Sequence, residues 1–173
     1  MLLNEAIDLI RNEVLSGTNV QTWADLGSGS GTFTAALANL LPENSIIYAV
    51  DKSKSSMEHV STNKKIIIEN VRANFIHDGL PQNLNGILMA NSLHYVEDKH
   101  AFIKKIEKNF KSNPLFIIVE YDMDISNPWV PFPINLNSLR QFFANAGYTS
   151  VRKLNEHISI YQRANIYSAL IKK

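Results

Sequence analysis

"DLGSGSGTF", Asp25–Phe33, sets Gly27, Gly29 and Gly31 within five positions of a chain that has only seven glycines. Glycine accepts positive φ and lets a ligand approach the backbone closely, so such a cluster calls for a reason. Upstream, "VQTWADL" (20–26) reads as a short, largely buried strand running straight into the glycines. Downstream, Phe33, Ala36, Leu37, Leu40 and Leu41 recur at helical spacing until Pro42 stops the helix. A helix that starts at the turn offers its unpaired amides to a negative group. "SIIYAVD" (45–51) is a second apolar strand, closed by Asp51, twenty residues beyond Gly31. A carboxylate at that distance suits the two hydroxyls of a ribose. Together these features describe a nucleoside-bearing cofactor lying across the carboxyl ends of the strands.

Outward from this centre, strands alternate with helices. Leu3, Ile7, Ile10 and Val14 predict one amphipathic helix over residues 1–16, ended by "GTN" (17–19). "SKSSMEHVSTNKK" (53–65) reads as helix, while "IIIE" (66–69) either extends it or begins a strand. "VRANFIHD" (71–78) and "GILMANSLHYV" (86–96) read as strands, followed by a helix over 97–110 with Phe102, Ile103, Ile106 and Phe110 on one face. "LFIIVEY" (115–121) is the clearest strand, and "DMDISNPWVPFP" (122–133) a polar, proline-containing loop. Leu136, Leu139, Phe142, Phe143 and Ala146 predict a helix that Gly147 ends. "TSVRKL" (149–154) and "IYSALIKK" (166–173) are strands with no helix between them, so one pairs antiparallel. The expected fold is α/β with a mostly parallel sheet. One domain is expected over residues 1–173, with the helix of 1–16 preceding a cofactor-binding core of 20–173.

Composition narrows the function. A net charge of +1 with scattered lysines and arginines argues against broad nucleic-acid binding. With no cysteine, disulfides, thiolate zinc sites and cysteine nucleophiles are excluded. No histidine–carboxylate set has metal-ligand spacing, so no metal is expected. The N-terminus does not read as a secretory signal, and no run approaches the roughly 20 apolar residues of a membrane span. The expectation is a cytoplasmic protein that touches neither membrane nor nucleic acid.

The dinucleotide fingerprint is G-x-G-x-x-G, but this chain reads G-x-G-x-G with Thr32 in the sixth place, and no G-K-[ST] of a P-loop follows. An acid, one residue, then G-x-G-x-G resembles the first motif of the class I S-adenosylmethionine-dependent methyltransferases. The resemblance extends along the chain. "IIYAVDKSKSSME" is similar to the family's ribose-binding strand, "NFIHDGLP" to its third-strand ending, and "ILMANSLHYVED" to its fourth strand. "LFIIVEYD" and "SLRQFFANAGYTSV" are similar to its fifth strand and following helix. The fold this implies is Rossmann-like: seven strands, mostly parallel, with an antiparallel C-terminal hairpin and helices on both faces.

The resemblance also implies site residues. Gly27, Ser28 and Gly29 would line the methionine end of the cofactor, with Gly31 completing the turn and Asp25 linked to the amino group. Asp51 would bind the ribose hydroxyls. Lys52 stands where the family usually has an apolar residue against adenine, and its stem would cover the ring. Asp78 would accept from the adenine amine beside Gly79, and Asn91 would present its carbonyl near the methionine amino group. The family's frequent aromatic–Asp pair before the fourth strand is replaced here by Asn85-Gly86.

The function implied is transfer of a methyl group from S-adenosylmethionine, leaving S-adenosylhomocysteine, to a small-molecule acceptor. No catalytic residue is identified; His94 is the candidate at the end of the fourth strand, with Tyr95, Tyr121 and Asp122 nearby in sequence. Trp129 and Phe132 either wall the acceptor side or pack their loop. A homodimer is one way to complete an open cleft. Two other readings remain at this stage: a methyltransferase-like module that binds the cofactor without turnover, and a nucleotide-dependent oxidoreductase, which the missing sixth glycine disfavours.

Overall fold

The computed structural model describes residues 1–53, 62, 64–158 and 165–173. Its elements are α1 (Leu3–Ile10), β1 (Thr22–Leu26), α2 (Thr32–Leu40), β2 (Ile46–Asp51), β3 (Ile67–Arg72), β4 (Gly86–Ala90), α3 (Lys99–Ile106), β5 (Leu115–Tyr121), α4 (Leu136–Asn145), β6 (Ser150–Ile158) and β7 (Asn165–Lys172). All seven strands join one sheet in the order β3-β2-β1-β4-β5-β7-β6. The first five run parallel, while β7 is antiparallel to both β5 and β6. The expected Rossmann-like sheet with its antiparallel hairpin is therefore what the chain forms.

Side chains alternate across the sheet with period two and feed two apolar layers. Trp23, Ile47, Leu88, Ile117, Val119, Ile166 and Leu170 pack with α1 and α2. Ala24, Leu26, Ile87, Met89, Phe116, Ile118, Tyr167 and Ala169 pack with α3 and α4. Burial on both faces explains why the central strands read as unbroken apolar runs. Each fully buried Leu, Ile or Phe contributes roughly 1.5–3 kcal/mol to holding the two layers on the sheet.

Several boundaries differ from expectation, each for a local reason. The first helix stops at Ile10 rather than reaching residue 16. Asn12 ends it by donating to the Ile10 carbonyl (2.8 Å) and accepting from the Val14 amide (2.9 Å), a side chain competing with helical hydrogen bonds. The third strand is Ile67–Arg72, so "IIIE" begins a strand and "VRANFIHD" is not one. Asn74 turns the chain there, its carbonyl accepting from the amides of His77 (3.0 Å) and Asp78 (2.8 Å). The fourth strand ends at Ala90; Asn91 takes φ 51°, and Leu93–Tyr95 form a single 3-10 turn instead of continuing the strand. The helix expected over 97–110 is α3 plus a 3-10 turn at Glu107–Asn109. Gly147, with φ 83°, ends α4 as expected. The helix predicted over 53–65 falls largely outside the described residues.

Asn85-Gly86 has a structural explanation. Asn85 Oδ1 accepts from the Thr22 amide (2.8 Å), locking β4 to β1. A Cβ on Gly86 would run into the buried indole of Trp23, so glycine is what lets the two strands meet there.

Candidate active site

The carboxyl ends of β1, β2 and β4 converge on the glycine turn. Gly27 (φ 81°), Gly29 (φ 52°) and Gly31 (φ 85°) all sit in left-handed conformations that L side chains rarely adopt. The turn hangs from β2, because the amides of Gly27 (2.8 Å) and Ser28 (3.1 Å) both donate to the Val50 carbonyl. Asp51 holds it from the side: its Oδ2 accepts from the Gly29 amide (2.9 Å), and its Oδ1 from Ser53 (2.8 Å). Gly31 caps α2 with no side chain over the helix end.

Asp25 lies inside β1, only 1% exposed. Its Oδ2 accepts from the Thr34 hydroxyl (2.6 Å), while its Oδ1 is buried without a partner. Burial pushes its carboxyl up to about 7, with the nearby Asp51 charge adding to the rise and the Thr34 hydrogen bond opposing it. From β4, Ser92 donates to the Leu26 carbonyl (2.6 Å). A Cβ on Gly27 would come within 2.6 Å of the Ser92 Cβ, so the turn after β4 is braced directly against the glycine turn.

His94 is 2% exposed, in the 3-10 turn after β4 rather than at the strand end. Glu120, at 1% exposure, grips it twice: Oε1 accepts from the His94 amide (3.1 Å), and Oε2 lies 2.7 Å from the ring Nδ1. A carboxylate only accepts, so Nδ1 carries the hydrogen. Beside the pair, Lys99 donates to the Val96 and Phe132 carbonyls (2.9 Å each). Burial lowers the Lys99 pKa and the Glu120 charge opposes that shift. The Phe132 amide donates to the His94 carbonyl (3.0 Å), tying the 122–133 loop to this turn. A cleft of about 400 Å³ opens alongside, lined by Tyr95, Val96, Phe102, Phe132 and the turn at Ile76 and His77.

Among the described residues, four buried side-chain polar atoms lack a hydrogen-bond partner: Asp25 Oδ1, Ser28 Oγ, Asn91 Oδ1 and His94 Nε2. All four sit at the carboxyl edge of β1 and β4. Unmet buried polar groups cost stability, and their gathering at one edge marks a place shaped for a polar ligand.

Comparison with known proteins identifies the family. Residues 19–164 match the family described as "Methyltransferase domain". The chain belongs to this methyltransferase family. No curated protein matches its sequence. Among solved structures, an S-adenosylmethionine-dependent methyltransferase from Aquifex aeolicus superposes with a TM-score of 0.62 at 16% identity, covering 99% of each chain. The 1,6-didemethyltoxoflavin-N1-methyltransferase of Burkholderia thailandensis, solved with its substrate and S-adenosylhomocysteine, gives 0.68 at 13% identity over 99% of this chain and 77% of that one. An arsenic(III) S-adenosylmethionine methyltransferase from Chlamydomonas reinhardtii gives 0.64 at 15%, over 98% and 72%. The protein is thus a methyltransferase in family, with the fold of these S-adenosylmethionine-dependent enzymes.

The glycine turn brings Asp25, Gly27, Ser28, Gly29, Gly31 and Asp51 together, and Asn91 directly follows the neighbouring strand β4. Asp78 and Gly79 are exposed in the turn after β3, where Asp78 Oδ2 accepts from the Asn74 amide (2.7 Å). Lys52 is exposed beyond Asp51. Trp129 is 80% exposed and packs no core, whereas Phe132 is half-buried. The sequence reading passed over Thr34, Ser92 and Glu120. Of these, Glu120 had a visible signal: it is the one charged residue in the otherwise apolar or aromatic run "LFIIVEY". Among the described residues, no cluster of three histidines and carboxylates is arranged to hold a metal, and no helix is long and apolar enough to cross a membrane.

Proposed function

We propose that this methyltransferase moves a methyl group from S-adenosylmethionine to a small-molecule acceptor by in-line transfer, with the cofactor along the carboxyl edge of β1, β2 and β4. The observation that carries this reading is the set of partnerless buried polar atoms that Asp25, Ser28 and Asn91 gather there. The unpaired Asp25 oxygen suits the methionine ammonium. Gly27, Ser28 and Gly29, with Gly31 behind them, give the backbone a close approach to the methionine end. Asn91 adds a polar group from β4. Asp51 accepts the ribose hydroxyls with the lone pairs its two amide bonds leave free, and Lys52 covers the ring with its stem. Asp78 keeps one carboxylate oxygen for the adenine amine beside Gly79, where a Cβ would meet nothing within 4 Å.

Bound cofactor supplies a methyl group already activated on sulfur. The chain's share is to bind, to aim the acceptor and to keep water out, which positioning alone makes worth several kcal/mol of barrier. A small-molecule acceptor is supported by the solved relatives that act on a didemethyltoxoflavin and on arsenic(III).

Calorimetric titration with S-adenosylhomocysteine tests the site. Saturable one-to-one binding is expected, and Asp51→Ala should weaken it by on the order of 1–3 kcal/mol, as for loss of a charged hydrogen-bond partner. Unchanged affinity in that variant would take Asp51 out of the site.

A further inference from the structure

His94 and Glu120 form a unit that the cofactor does not explain. Burying a carboxylate is costly, and a purely structural pin would be served by a neutral side chain. Glu120 instead spends both oxygens on one residue, fixing the His94 amide (3.1 Å) and the ring Nδ1 (2.7 Å). The effect is to orient the imidazole and settle its tautomer, with the hydrogen on Nδ1 and the lone pair on Nε2. That Nε2 is buried and unpartnered. The groups around the pair do not quench it. Tyr95 and Tyr121 present rings 4.3 and 6.3 Å from the imidazole, and Lys99 is engaged by two backbone carbonyls. Tyr167, on β7, has its hydroxyl on the Ile134 carbonyl (2.8 Å) and its pKa raised by burial and then by the Glu120 and Asp122 charges. Through Ser92 the turn that carries His94 is locked to the glycine turn, and Tyr95 borders the adjoining cleft.

We propose that His94 is the general base of this methyltransferase, that Glu120 is its positioning residue, and that the acceptor is therefore a hydroxyl compound of phenolic or enolic type. This rests on the function proposed above. A free amine already has its lone pair and a thiol ionises readily in water, whereas a hydroxyl is a weak nucleophile until its proton is drawn away. As the acceptor oxygen forms its bond to the methyl carbon, its O–H bond breaks and the proton passes to Nε2. The carbon–sulfur bonding pair stays on sulfur, leaving a neutral thioether, and the imidazolium then returns its proton to water. Tyr95, half-exposed with its ring 4.3 Å from the imidazole, borders the cleft from which the acceptor would approach.

Nitrogen-15 NMR of the histidine-labelled protein, loaded with S-adenosylhomocysteine, tests this without knowing the natural acceptor. Phenol and its methyl ether, anisole, are added at matched concentrations. Phenol should move the His94 Nε2 resonance in the direction of hydrogen-bond acceptance, and anisole should not. Glu120→Gln, which keeps shape but reverses the hydrogen-bonding preference at Nδ1, should populate the Nε2–H tautomer and weaken phenol binding about tenfold, the worth of one buried hydrogen bond. An Nε2 resonance that ignores both probes, or answers both alike, overturns the proposal. So does a Glu120→Gln protein that stays folded and binds phenol as well as before. Loss of S-adenosylhomocysteine binding itself, read from the same sample by calorimetry, would instead strike the cofactor reading on which the proposal stands.

Discussion

The turn after β1 and the turn after β4 lie side by side at one edge of the sheet, yet they are built on opposite principles. The first offers backbone: three glycines at positive φ, hung from the Val50 carbonyl and steadied by Asp51. The second offers side chains, Asn91 and His94, with a buried carboxylate setting the direction of the imidazole. Each is served by a buried acid, Asp25 on β1 and Glu120 on β5, and these differ in the same way. Asp25 has one oxygen on Thr34 and the other idle; Glu120 has both engaged with His94. A backbone turn fails through shape, a side-chain turn through charge, and an idle acid waits for a ligand where an engaged one serves a neighbour.

His94→Leu should have the largest effect. It strands the Glu120 carboxylate in the core and should cost about 3–5 kcal/mol in urea unfolding, as for a broken buried pair. A loss below 1 kcal/mol would mean that the imidazole is not what satisfies the buried carboxylate. Gly27→Ala comes next. A Cβ at φ 81° and 2.6 Å from the Ser92 Cβ should cost on the order of 3 kcal/mol and abolish cofactor binding. If Gly27→Ala binds normally, the first turn does not work through shape.

Asp25→Asn separates the idle acid from the engaged one through pH. The Asp25 carboxyl rises from 3.8 to about 7 on folding, so the native state holds its proton more tightly than the unfolded chain. Stability from this group is therefore present below 3.8 and is lost progressively as the pH climbs to about 7. A ligand ammonium favours the ionised form. Cofactor affinity should accordingly rise about tenfold per pH unit below that value, one proton being released on binding. In Asp25→Asn both slopes should flatten; identical slopes in the two proteins would clear Asp25 of any part in the linkage. Trp129→Ala closes the series. At 80% exposure its removal should change stability by no more than about 0.5 kcal/mol, and a larger loss would show a packing role for the 122–133 loop.

How much of this could be read from residue order follows the same division. The glycine turn was legible because positive φ and close approach demand one residue type at fixed spacing, and Asp51 because it ends an apolar strand. The central strands were legible because burial on both faces leaves an unbroken run such as "LFIIVEY". The turn after β4 was not. "ANSLHYV" keeps strand-like apolar content, and only Asn91 entering the left-handed region breaks it, a choice that composition does not announce. For the same reason "VRANFIHD" read as a strand and "IIIE" stayed open between helix and strand, until Asn74 was seen to turn the chain. The partners of His94 and Asp25 lie 26 and 9 residues away, so the contacts that define them exist only once the sheet has formed. Ser92, holding the Leu26 carbonyl across 66 residues, is the extreme case.

The sheet order has a consequence for how the protein is made. β7 is the last of the seven strands to leave the ribosome, yet it lies inside the sheet, paired to β5 along its whole length and to β6 on the other side. Until residues 165–172 emerge, β5 must present an unpaired edge of apolar strand to the cell, the kind of surface on which nascent chains stick to one another. Synthesis and folding are thereby coupled: the strand that carries Glu120 is closed over only when residues 165–172 emerge, so that the sheet and the site it carries are completed together.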